Sequence, residues 1–112
     1  MVAVSFDRQA GAQHGSATIN VSASGPTLIV AGVAGKRIWV LSYVIVSTAA
    51  NSITLEDSDG TVWVGPLPCA ANGGVAPPFN KAGHFHLPTG KSLMIGNTSA
   101  AQTGGQVSYV TV

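Results

Sequence analysis

Apolar and polar residues alternate with a period of two along most of the chain, and that period belongs to half-buried β-strands. Thr18 to Ser22 alternates cleanly, with Ile19 and Val21 on one side and Thr18, Asn20 and Ser22 on the other. A turn at Gly25 and Pro26 leads to a strand over Thr27 to Ala31, and Gly32 and Gly35 bracket the next turn. Lys36 to Thr48 is the strongest strand signal. Simple alternation places Ile38, Val40, Val44 and Val46 on one face and Trp39, Leu41, Tyr43 and Ile45 on the other. These residues favour strands, and apolar character on both faces requires cover on both.

Ser52 to Glu56 alternates again, with Ile53 and Leu55 inward. The run from Asp57 to Gly60 ends in Asp-Gly and predicts a tight hairpin, with Thr61 to Val64 as the returning strand. Residues 69–82 are rich in Gly, Ala, Asn and Pro and read as a long loop of the kind that carries function or contacts. Short strands follow at His84 to Leu87 and Leu93 to Ile95, then a small-residue loop, then a terminal strand from Gln106 to Val112. Eight or nine short strands with frequent turns and no helical period predict an all-β chain, an antiparallel β-sandwich that is jelly-roll-like or immunoglobulin-like. Residues 1–16 alternate through Val2, Val4 and Phe6 and then turn small and polar, which predicts an N-terminal arm or edge strand. Residues 17–112 form the single sandwich domain.

Composition changes the picture in one respect. Charged residues are 8% of the 112 and the formal net charge is +1, against about 25% charged in ordinary soluble domains. Ser, Thr, Asn and Gln number 29 and wet part of the surface. Two apolar faces on the Lys36–Thr48 strand imply that neighbouring subunits, or the arm, cover the rest. The five Lys and Arg are scattered, so no cationic stripe for nucleic acid forms. The apolar stretch from Ile38 to Val46 is too short for a membrane helix. The N-terminus has no secretory pattern, so folding in a cytoplasm is expected.

Candidate chemistry is sparse. Cys69 is the single cysteine and reads as a small buried residue. Gly90, Lys91 and Ser92 resemble the end of a phosphate loop, but Phe85 stands where its first glycine belongs. His84 and His86 share one strand face and are candidate metal ligands, with a third ligand to come from His14, a carboxylate or a symmetry mate. The alternative makes them surface or interface histidines, and no cofactor is expected. Glu56, Asp57 and Asp59 form an acidic hairpin tip without the spacing of a calcium loop. No nucleophile and base pair by spacing, so no enzyme is expected. Trp39, Trp63, Tyr43 and Tyr109 suit either a sugar platform or buried contacts.

From Val33 onward the chain resembles small tailed-bacteriophage virion proteins of jelly-roll or β-sandwich type. The resemblance is carried by VAGKRI at 33–38 leading into the apolar strand, by Pro78, Phe79 and Asn80, by AGHF at 82–85, by GKSL at 90–93, and by GQVSYV at 105–110. Residues 1–32 contribute nothing to it. It implies a decoration or cement subunit on the capsid surface of the virion, or a head-fibre protein, and a homo-oligomer, in many cases a trimer, held to the major capsid protein. It also leaves open a carbohydrate- or receptor-binding module of a tail fibre or spike. The candidate contact residues are Phe6, Arg8, Trp39, Tyr43, Trp63, Phe79, His84 and His86, and partners of nucleic-acid or membrane type are not expected.

Overall fold

The computed structural model describes residues 13–80 and 82–112. It is all-β, with nine strands in two antiparallel sheets: β1 (Gln13–Val21), β2 (Gly25–Val30), β3 (Ile38–Ser47), β4 (Asn51–Asp57), β5 (Val62–Cys69), β6 (Gly73–Val75), β7 (Phe85–His86), β8 (Leu93–Asn97) and β9 (Thr103–Thr111). Sheet A runs β1-β9-β3-β6, with β7 also paired to β3, and sheet B runs β2-β8-β4-β5. The chain crosses from one sheet to the other at almost every connection, and β4–β5 is a hairpin within sheet B. Two antiparallel sheets packed face to face make a β-sandwich.

Inward side chains of both sheets share one core. Ile19, Val40, Ile45 and Val107 from sheet A meet Ile53, Leu55, Leu93 and Ile95 from sheet B, all nearly or fully buried. Leu87, just after β7, is also fully buried there. β4 and β8 keep strict alternation, with Leu55 opposite Ile95 and Ile53 opposite Asn97 across their shared ladder. This is the pattern their sequences predict.

The Lys36–Thr48 ribbon departs from that simplicity. Its pairing with β9 steps from Val40↔Tyr109 to Ser42↔Ser108, so one extra residue is inserted at Leu41. A bulge of this kind reverses the alternation downstream. Ile38 and Val40 point inward before it, and Tyr43 and Ile45 point inward after it. Val44 and Val46, expected beside Ile38 and Val40, face outward at 40% and 44% exposure. Leu41 joins Val110 in a second, buried cluster with Trp39 and Val112. Both faces of β3 are therefore apolar as expected, but the face assignment beyond Leu41 is reversed.

Smaller differences have similarly local causes. Gly25 and Pro26 open β2 rather than forming a turn, and the bend falls at Ala23 and Ser24. Pro26 is tolerated because β2 is an edge strand. β5 continues through Pro66 and Pro68 to Cys69 for the same reason. The 69–82 loop contains the short strand β6, which pairs with the end of β3. Residues 13–16, grouped above with the arm, are the start of the edge strand β1. Phe6 and Arg8 lie outside the described residues.

The bulge makes a direct prediction. Ile45→Ala should cost about 2–5 kcal/mol by chemical denaturation, the range for truncating a buried aliphatic residue. Val44→Thr, one position away, should change stability by no more than about 0.5 kcal/mol.

Candidate functional site

The pairing of β7 with β3 gathers four of the expected contact residues. Trp39 is the ladder partner of His86, and Phe85, opposite Val40, packs against the core. Alternation then turns His86 to the other side. The His86 ring stacks on Trp39 with centroids 4.3 Å apart and planes 24° from parallel. The His84 ring meets Tyr43 edge-on at 5.8 Å, and its Nε2 lies 2.8 Å from the Pro78 carbonyl oxygen. The His84 amide donates to Val40 O and the Leu87 amide to Ile38 O. Burial pushes the Tyr43 phenol above its ordinary pKa, so it stays neutral near pH 7.

These contacts make the His84–His86 segment a clasp that holds β7 and the preceding loop to the sheet. Trp39 stacks on His86 and packs against the Leu41–Val110 cluster, so it is not an open platform. Both imidazoles engage aromatic rings, and His14 sits on β1, with β9 and β3 between it and β7. Among the described residues no three His, Cys, Asp or Glu side chains come together.

Phe79 is separated from this cluster and stands 61% exposed. Its loop is anchored by Asn80, whose amide donates to Leu41 O and whose side-chain oxygen accepts from the Ala82 amide. Phe79 and Leu41 form apolar walls of a shallow depression of about 360 Å³, lined also by His14, Ser16, Ser108 and Tyr109. Tyr109 lies across its ladder partner Gly15, where an added Cβ would sit 2.6 Å from the phenol oxygen.

At the β4–β5 hairpin the acidic tip takes a different form from the one expected. Asp57 is 2% exposed and serves as a structural acceptor. Its Oδ1 accepts from the amides of Asp59 and Thr61, and its Oδ2 accepts from the Trp63 indole N–H at 3.0 Å. Burial raises its pKa. The indole, the two amides and the charge of Lys91 outweigh that and hold the carboxyl below its ordinary value. Asp59, at the solvent side, pairs with Lys91 at 2.9 Å. Trp63 sits at a bulge between the pairs Leu55↔Val64 and Glu56↔Val62, and 39% of it remains exposed.

The other end of the sandwich is tied by a polar hub that residue-type reasoning missed. Asn51 Oδ1 accepts from the Thr98 and Ser99 amides and from the Thr98 hydroxyl, and its amide group donates to Asn97 Oδ1. Asn97 also accepts from Thr103 Oγ1 and donates to Ala23 O. The available signal was phase: Asn51 and Asn97 occupy the inward positions of β4 and β8, in step with Ile53 and Ile95. Buried amides at such positions demand partners.

The low pKa of Asp57 ties stability to pH. A carboxylate whose folded pKa is depressed stabilises fully above its unfolded value of about 4, and that contribution disappears as pH falls through the lower folded value. Asp57→Asn should cost about 1–3 kcal/mol at pH 7, because one donor loses its acceptor. In urea titrations the gap between variant and parent should narrow steadily below about pH 4.

No protein-family model, no curated protein and no solved structure matches the chain.

Proposed function

We propose that this chain is a structural subunit of a larger protein assembly, a decoration or cement protein bound to the surface of a virus capsid. The observation that carries the reading is the distribution of exposed apolar side chains. Leu28, Val62 and Trp63 project from sheet B, and Val44 and Val46 from sheet A, in a chain that is only 8% charged. A monomer at low net charge has little electrostatic repulsion to keep such surfaces apart, whereas copies of itself or a scaffold bury them. The resemblance in the second two-thirds of the sequence supplies the virion, the major capsid protein as scaffold, and the trimer. The Trp39, Tyr43, His84 and His86 cluster has a supporting part, holding the 76–84 loop and its exposed Phe79 in place for contact.

A second reading has one specific observation behind it. Trp63 is a large exposed aromatic whose indole N–H is already fixed by Asp57. A rigid aromatic face of this kind suits stacking on a sugar ring, as a carbohydrate- or receptor-binding module of a tail fibre or spike would require.

Two measurements separate these readings. Quantitative mass spectrometry of virus particles from the encoding source should find the chain at a fixed copy number per capsid, and light scattering of the purified protein should give a mass above 11.3 kDa. A concentrated, monodisperse monomer absent from particles would refute the assembly reading. Under the second reading a glycan array should show binding that is lost in a folded Trp63→Ala variant.

A further inference from the structure

The ladder of sheet B places one outward residue from each strand in a straight row. Leu28 pairs with Met94, Met94 with Glu56, and Glu56 with Val62. At the usual strand spacing the row is about 14 Å long. Leu28 and Val62 at its ends are 54% and 45% exposed. Glu56 is the only charged residue among the outward positions of these four strands. Its carboxylate accepts one hydrogen bond from Thr54 Oγ1 at 3.0 Å and forms no ion pair among the described residues. Gly96 leaves room for that bond, since a Cβ there would lie 2.5 Å from Thr54 Oγ1.

A surface that covers this apolar row must also answer the carboxylate, because a charge stripped of water without a counter-charge is costly. A two-fold, face-to-face contact of this row with its own copy supplies no cation and fails that requirement. The cover therefore presents a cation beside an apolar group. Among the described residues the cations are Lys36, Arg37 and Lys91, and Lys91 is already paired with Asp59. Lys36 and Arg37 lie in the β2–β3 connection, in a turn closed by the Lys36 amide on Val33 O. Val33 is 43% exposed, and Arg37 is exposed with its Nε 3.2 Å from Thr89 Oγ1.

We propose that the Val33–Arg37 turn of one copy docks on the Leu28–Met94–Glu56–Val62 row of the next, with Lys36 and Arg37 neutralising Glu56. The contact joins two different surfaces, so it propagates head to tail and closes into a ring when the rotation permits. This rests on the assembly reading and names the self-contact within it.

The test is a charge swap read by light scattering and sedimentation, with circular dichroism confirming the fold. Glu56→Arg alone, and the Lys36→Glu and Arg37→Glu pair alone, should each weaken self-association at least tenfold and shift the mass toward 11.3 kDa. All three substitutions in one chain should restore the oligomer. An unchanged mass for Glu56→Arg, or no recovery in the combined variant, overturns the proposal. A wild-type chain that is monomeric in solution yet binds particles also overturns it, and leaves the assembly reading standing.

Discussion

The bulge at Leu41 in the central strand of sheet A is the constraint on which the arrangement turns. β3 pairs with β9 along one side and with β6 and β7 along the other. A one-residue insertion there resets which side chains meet sheet B. Upstream, Ile38 and Val40 complete the core beside Leu87; downstream, Ile45 does so beside Val107. Leu41 itself goes to the opposite side and is buried with Val110. Without the insertion, uniform alternation would put either Ile38 and Val40 or Tyr43 and Ile45 on the outer face. The small polar Ser42 at the crossover, paired with Ser108, suits a position where packing is interrupted.

The two ends of the sandwich are held mainly by hydrogen-bonded polar side chains, joined at the hairpin end by the Lys91–Asp59 ion pair. Asn51 and Asn97 bind together the loops between β1 and β2, β3 and β4, and β8 and β9. Asp57 binds the hairpin between β4 and β5 and orients Trp63. Each buried polar atom in these networks has a partner, so they stabilise the ends at little desolvation cost. The few charges that the chain carries are thus partly spent inside its turns. Little ionic repulsion remains on the outer faces, and those faces keep Leu28, Val44, Val46 and Val62 in contact with solvent.

That combination connects the architecture to the proposed role. A sandwich whose outer faces are nearly neutral and partly apolar suits being tiled against neighbours, as the proposed role requires. The clasp of His86 on Trp39 and His84 on Tyr43 stiffens one side of sheet A and leaves Phe79 as the projecting group. On sheet B the outward row carries a single carboxylate, Glu56, between apolar neighbours.

Much of this was legible in residue order. Period-two alternation located the strands around Ile19, Ile53, Leu55, Leu93, Ile95 and Val107, and the Asp59-Gly60 turn located the hairpin, because inward phase and turn chemistry are local properties. The sequence by itself therefore determined the all-β class, the near absence of charge, and the two-sided apolar character of β3. The tertiary structure alone decided the rest. The insertion at Leu41 depends on pairing with β9, some 70 residues later in the chain. The burial of Asp57 depends on an indole across the hairpin, and the union of Trp39 with His86 depends on a ladder that spans 47 positions. Hydrophobic pattern specifies which faces want cover, but only the pairing of distant strands specifies what covers them.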